Sequence, residues 1–448
     1  MADQEINIRD VARNMREQVQ EELASRAGIG SRPTPDQVRA QITGIVQQRA
    51  SYLRGMTPEM VAELCDIVVD DIVNYGAIQQ LIDDPDVSDI LVDGPGKTFV
   101  EVRGKKMPCP LVFSSDDDIR WVINKILRPL NRTCDEMNPQ EDGNMPDGSR
   151  IHATVPPVTP WPTLSIRKFR NDMADPESLL GNGTMSQDMM DFLAAAVRAR
   201  CNILISGGTG SGKTTLLNVL SGFVFPDERI ITCEDARELK IKLEDWVPMQ
   251  SKPANADGAG GQDIEALLKG TLRMRPDRII IGEVRGKEAS DMIQAMNTGH
   301  DGSIGTIHAS SPERVMIRLQ DMILQAHNLP IEAIRNEVSM AIDLIVHSER
   351  FYKTGERKVL EISAPAGMEG GTMRMQKLFE FELDRYEEDR IVGRHVPCGY
   401  MPPANIQRKF LLAGEELERD WFSGGARLAP PARSSPRPPR RCSWWPWS

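Results

Sequence analysis

Residues 203–215 constrain this chain more than any other stretch. An apolar run, Ile203-Leu-Ile205, passes into Gly207-Gly-Thr-Gly-Ser-Gly-Lys-Thr214, and a helical pattern follows from Thr214 to Leu220. The octapeptide has the spacing G-x-x-x-x-G-K-[ST]. Its glycines let successive backbone N–H groups turn toward a common centre, and the helix start behind them adds a positive dipole end. The nucleotide-binding candidates are therefore Gly207, Gly208, Thr209, Gly210, Ser211, Gly212, Lys213, Thr214 and Thr215. Lys213 is placed to bridge the β- and γ-phosphates, and the Thr214 hydroxyl to ligate Mg²⁺. No Asn-Lys-x-Asp sequence occurs, so ATP is favoured over GTP.

The 448 residues carry 54 Lys+Arg against 65 Asp+Glu, a net charge of −11, with 40% hydrophobic and 27% charged residues. Fibrous, collagen-like and wholly disordered chains are excluded, and there is apolar content for more than one core. No run of about 18 apolar residues is present, and the N-terminus lacks a signal-peptide profile. The sequence therefore predicts a cytoplasmic protein. The seven cysteines are dispersed with no C-x-x-C pair, which argues against a disulfide framework or a zinc ribbon. Net acidity argues against the chain itself gripping nucleic acid.

The apolar period divides the chain. Residues 1–84 read as a helical module, with a break at Gly28-Ile-Gly-Ser-Arg-Pro33 and a helix cap at Thr34 or Asp36. Residues 85–172 read as a small α/β domain. Its strands are Ile90–Val92, Thr98–Val102 and Thr163–Phe169, and its helix is Asp117–Leu127. Asp172–Gly183 reads as a linker. Strands and helices then alternate to about His347, as in a parallel sheet with crossover helices, giving a core over 173–350. Residues 351–423 look less regular, apart from a turn at Glu369-Gly-Gly371 and a strand at Lys377–Glu382. The Pro/Arg/Trp-rich stretch 424–448 has a disordered composition.

Two further strands end in acids. Arg278-Ile-Ile-Ile-Gly-Glu283 delivers one carboxylate at its end, the arrangement that holds Mg²⁺ through water or positions an attacking water; capping the next helix is the plainer role. Arg229–Glu238 ends in Glu234, Asp235 and Glu238, three candidates for a general base. His300 and His308 flank a short strand at Gly302–Ile307. Their spacing does not suit a helical metal site, and a switch or phosphate-sensing role fits better.

In this order, the phosphate loop, Ile231-Thr-Cys-Glu-Asp-Ala-Arg-Glu-Leu239, Arg273–Arg285 and Asn297–Ala309 resemble the Walker A, Asp-box, Walker B and His-box motifs of the secretion traffic ATPases. That superfamily serves type II secretion, type IV pili and type IV secretion. Asp147-Gly-Ser-Arg150, Ser165–Phe169, Met274-Arg-Pro-Asp277, Met296–Gly302 and Gly367-Met-Glu-Gly370 resemble the CpaF-type branch, which serves the tight-adherence (Flp) pilus. The lack of a four-cysteine module speaks against the type II secretion and pilus-extension branches; a type IV secretion ATPase is the nearest rival.

The resemblance implies an α/β fold. A RecA-like P-loop core would carry a small α/β N-terminal domain and an N-terminal helical module. It also implies a homo-hexamer that hydrolyses ATP with Mg²⁺, peripheral to the inner membrane, working on platform proteins that assemble or extrude pilins. By position Glu238 matches the proposed catalytic base, Glu283 the Walker-B glutamate and Mg²⁺ site, and Lys213 the Walker-A lysine. His300 and His308 match the His box, and Arg150 and Arg167 match arginines that reach the phosphates. One departure is Ser251-Lys-Pro253, where the family often has arginine; lysine makes no bidentate phosphate contact.

Overall fold

The structure is a computed structural model describing residues 8–26, 35–50, 56–102, 104–110, 113, 115–169, 175–252, 260–369, 372–387 and 390–423. The predicted break at 28–33, the Thr34 cap, part of the 172–183 linker, the centre of the turn at 369–371 and the stretch 424–448 lie outside these residues. The chain forms two compact units that divide between Arg170 and Asn171.

The first unit opens with three helices, α1 (Ile8–Arg26), α2 (Pro35–Ala50) and α3 (Pro58–Val73), followed by a short α4 (Gln79–Asp83). Val19, Ile42, Val46, Leu64 and Val68 are fully buried between the first three, as the apolar spacing requires. Thr57 caps α3 by accepting from the Met60 N–H, with Pro58 in the first turn.

Six strands follow: β1 (Val87–Val92), β2 (Thr98–Val102), β3 (Lys105–Cys109), β4 (Gln140–Asn144), β5 (Arg150–Thr154) and β6 (Thr163–Arg167). They form an antiparallel sheet in the order β3-β2-β1-β6-β5-β4. Helix α5 (Asp116–Leu127), capped by Ser115, buries Ile119, Val122, Ile123, Ile126 and Leu127 in the core of that sheet. Lys125 on α5 donates to the Asp71, Ile72 and Asn74 carbonyls at the C-terminal end of α3. Arg13 on α1 makes a forked contact with Asp118 at 3.2 and 3.0 Å. Carbonyls left over at a helix end and a bidentate ion pair thus tie the helices to the sheet domain.

The second unit opens with a helix where the sequence predicts a linker. Asp175, read as part of a linker, caps a helix, α6 (Pro176–Gly181), by accepting from Ser178 N. The elements after it are α7 (Gln187–Arg198), β7 (Ile203–Gly207), α8 (Lys213–Ser221), β8 (Ile230–Glu234), β9 (Trp246–Gln250), α9 (Ile264–Thr271), β10 (Arg278–Val284), α10 (Glu288–Asn297), β11 (Ile304–Ile307), α11 (Pro312–Ala326), α12 (Ile331–Ala341) and β12 (Leu344–Arg350). Three long strands and a helix complete it: β13 (Arg357–Glu369), β14 (Thr372–Glu387), β15 (Arg390–Pro397) and α13 (Ala404–Ala413).

The nine strands form one sheet in the order β15-β14-β13-β12-β7-β11-β10-β8-β9. From β12 to β9 neighbours run parallel; β13, β14 and β15 extend the sheet antiparallel. The residues read as irregular beyond 350 therefore continue the sheet, and the predicted Lys377–Glu382 strand is the middle of β14. Two apolar layers pack on the two faces, one built around Phe192, Leu217 and Phe379, the other around Leu268, Met292 and Leu319. This is the predicted α/β fold, with an antiparallel sheet domain ahead of it. Among the described residues no helix is long and apolar enough to cross a membrane.

Candidate active site

Ligand sites in open parallel sheets form outside the carboxyl ends of the strands. Four such ends meet here. The glycine loop leaves β7 and enters α8, whose first residue is Lys213; Gly212 caps that helix with φ +94° and Gly210 turns with φ +72°. Both lie in the left-handed region, where a side chain is strained. Lys213 is buried and donates to the carbonyls of Gly207 and Gly208 at 3.2 and 2.8 Å.

His308 follows β11, immediately beside β7. Its Nε2 lies 3.4 Å from Lys213 Nζ and 3.1 Å from Glu283 Oε1. One nitrogen serves one of these at a time: as N–H it donates to the carboxylate, bare it accepts from the ammonium. Burial and the Lys213 charge push the His308 pKa down, against the pull of Glu283, so the ring is neutral at pH 7.

Glu283 stands near the end of β10, where the register with β11 breaks between Ile281 and Val284. Such irregularities re-aim side chains next to active sites. Arg285 Nη2 donates to Glu283 Oε2 at 2.6 Å and Nη1 to Asp235 Oδ2 at 3.2 Å. Burial works against the Glu283 charge. The hydrogen bond and charge of Arg285, with His308 and Lys213, outweigh it and hold the carboxyl below its ordinary range. Glu283 does not cap the helix after it: Glu288 accepts from Arg285 N and Gly286 N instead.

The acid cluster after β8 separates into three parts. Glu234 is buried, and one of its oxygens accepts from the N–H groups of Glu238 (2.7 Å) and Leu239 (2.9 Å), so it brackets the turn. Burial raises its pKa. Gly282 on β10 makes room for it, since a Cβ there would stand 3.1 Å from Glu234 Cγ. Asp235 faces Arg285. The Glu238 carbonyl accepts from Asn218 Nδ2 on α8 at 3.3 Å, which fixes this segment to the helix behind the glycine loop. Beside Asp235 and Glu283 lies a cleft of about 290 Å³ lined also by Asp263, Glu265 and Glu288.

Not every candidate gathers here. His300 precedes β11 at the opposite edge of the sheet, next to Gly302 and Ser303, whose N–H groups donate to Asn202 Oδ1 just before β7. The strand between the two histidines is four residues long, ~13 Å. The Nδ1 of His300 is buried with no hydrogen-bond partner among the described residues. Arg150 and Arg167 belong to the first unit, where they are direct partners in register across β5 and β6; Arg167 also lies 3.6 Å from Asp89. Lys252 pairs its backbone with Gln262. Arg285 lies within the Arg273–Arg285 motif, where the sequence gives it no role, and Ser348 and Arg357, which touch the glycine loop, carry no signal in the sequence.

Comparison with known proteins identifies the family. Residues 71–356 match the type II/IV secretion system protein family. A protein of Mycobacterium tuberculosis named for conjugal transfer is 32% identical over 75% of this chain and 96% of its own length. The VirB11 protein of Agrobacterium tumefaciens is 30% identical over 66% of this chain and 94% of its own. Among solved structures, the VirB11 ATPase of Brucella suis is 28% identical with a TM-score of 0.36, covering 64% of this chain and 92% of that one. The chain described here belongs to the type II/IV secretion system ATPase family.

Proposed function

We propose that the chain is the ATP-hydrolysing motor of a bacterial pilus or secretion machine, working as a homo-hexamer at the cytoplasmic face of the inner membrane against platform proteins. The observation that carries the reading is the run Lys213–His308–Glu283–Arg285–Asp235, laid across the carboxyl ends of four parallel strands. It places a cation, a neutral imidazole and an ionised carboxylate beside a loop built to hold phosphates.

The loop amides and Lys213 would bind the β- and γ-phosphates of ATP, and Glu238 would take the proton of the attacking water. Thr214 and Glu283 would hold Mg²⁺, their hydroxyl and carboxylate being the hard oxygen donors that ion takes. Both Glu283 oxygens already meet Arg285 and His308, so its hold would run through water. Bound there, the ion would neutralise charge on the phosphates. Arg150 and Arg167 would add positive charge. They are direct partners in register across β5 and β6, so both charges stand on one face of the sheet. His308 would report the state of the phosphate site to Glu283, and His300, on the far edge, would act outside it.

The CpaF-like phrases favour a tight-adherence pilus as the machine. The names of the relatives favour a second machine, a conjugation-type secretion system. The test of the shared reading is phosphate release and nucleotide binding by purified protein. Lys213→Ala should lose both. Glu283→Gln and Glu238→Gln should bind ATP yet release phosphate at least about a hundredfold more slowly. Normal release by Glu238→Gln would move the base to another acid, and normal release by Lys213→Ala would sink the site.

A further inference from the structure

A phosphate nest turns its N–H groups inward, so the carbonyls of the same peptides turn outward and need partners of their own. Two of those partners come from a strand pair outside the loop–helix unit. Ser348 Oγ, fully buried on β12, donates to the Ser211 carbonyl at 2.7 Å. Arg357 Nε, at the start of β13, donates to the Gly210 carbonyl at 2.8 Å.

The same two strands grip the loop at its root. β12 pairs in parallel with β7 as far as Ser348 opposite Gly207, and a Cβ at Gly207 would overlap the Ser348 carbonyl oxygen. His347 Nδ1 meets Ser206 Oγ at 2.9 Å, one residue before the loop. The register of β12 with β13 shifts between His347 and Ser348, at the point where β12 reaches the loop.

We propose that Ser348 and Arg357 are positioning residues for the phosphate loop. A trans peptide points its C=O and N–H in opposite directions. Fixing the Gly210 and Ser211 carbonyls outward therefore fixes the N–H groups of Ser211 and Gly212 toward the nucleotide. Within the loop, Ser211 N makes only a long 3.4 Å contact with Gly208 O, so the outer contacts carry the orientation. Neither residue touches the reacting atoms. The inference rests on the reading of residues 207–214 as a phosphate site.

The two residues act on binding that ATP and ADP share, since both present a β-phosphate to the loop. The test is ADP affinity by titration calorimetry, together with KM and kcat for ATP, in the full chain. Arg357→Met and Ser348→Ala should each weaken ADP binding about fivefold, the worth of one hydrogen bond, and raise KM by the same factor with kcat within about twofold. The unfolding temperature without nucleotide should fall by no more than a few degrees for Arg357→Met, because Arg357 is exposed. Arg357→Lys should restore most of the affinity, since one ammonium donor satisfies one carbonyl. ADP affinity within twofold of wild type in both variants would overturn the inference. So would an Arg357→Lys variant as weak as Arg357→Met, which would make the guanidinium a forked phosphate ligand. Wild-type protein that does not bind ADP would remove the phosphate-site reading itself, and this inference with it.

Discussion

Glu283 shows how single residues set the chemistry of this site. Burial alone would push its proton affinity up, but Arg285 at 2.6 Å, His308 and Lys213 reverse the direction. Its folded-state pKa therefore lies below the ordinary 4.5. The unfolded chain binds that proton more readily, so the stabilisation is whole above the ordinary value and is lost as pH falls through the folded one. Glu283→Gln should accordingly flatten the acid side of the stability curve, read as unfolding temperature between pH 3 and 6, roughly the carboxylate range. Arg285→Ala removes the main opposing charge, so the acid limb of the kcat/KM profile should move to higher pH; an unmoved limb would detach Arg285 from Glu283. Glu283 and Lys213 were legible in the sequence because a strand, a turn and a residue type coincide at each. Arg285 was not, because its role depends on β8 and β10 being neighbours, which no local pattern states. The three acids after β8 were legible only as a group. Tertiary contacts then separate them: Glu234 is buried and brackets the turn, Asp235 pairs with Arg285, and the Glu238 backbone is held to α8.

At the scale of elements, the two edges of the nine-stranded sheet do different work. The carboxyl edge holds the candidate site. The opposite edge holds a buried ion pair: Arg278 at the start of β10 is fully buried, forked onto Glu228 at 2.8 and 2.7 Å and bonded to the Val197 carbonyl at 2.6 Å. Breaking a buried pair leaves a lone charge in the interior, at a cost of about 3–5 kcal/mol. Arg200 also reaches Glu228 at 2.8 Å, so the loss for Arg278→Met should fall near the lower end of that range, about 3 kcal/mol in urea unfolding. Glu228→Gln added to Arg278→Met should recover part of it. Equal stability of Arg278→Met and wild type would contradict this division of labour.

Legibility followed burial at this scale too. β7, β8, β10 and β11 are covered on both faces and stood out as apolar runs. β9 was missed, because an edge strand carrying Pro248 has half-exposed residues throughout and no clear period. β13 and β15 were missed, and β14 was read only over Lys377–Glu382, because register shifts near Ser363, Pro365 and Leu383 break the alternation that marks a strand. β4, Gln-Glu-Asp-Gly-Asn, contains no strand former and is a strand only because β5 pairs with it.

At the scale of the whole molecule, the chain is two compact units, one carrying the paired arginines and the other the phosphate loop. Phosphoryl transfer draws on positive charge around the phosphates, and Arg150 and Arg167 are proposed to supply part of it. Arg150→Ala should therefore lower kcat at least about tenfold while ADP binding to the second unit changes little. Loss of ADP binding instead would make Arg150 part of the binding site proper. An oligomeric motor adds a requirement that no single chain shows: turnover must depend on assembly. The most direct measurement is phosphate release per chain across a range of protein concentrations, with the mass of each sample determined alongside, for wild type and Glu283→Gln. The account predicts a rate that rises as hexamers form and a flat baseline for the variant. A rate per chain that is constant from monomer upward, or a Glu283→Gln rate equal to wild type, would contradict it.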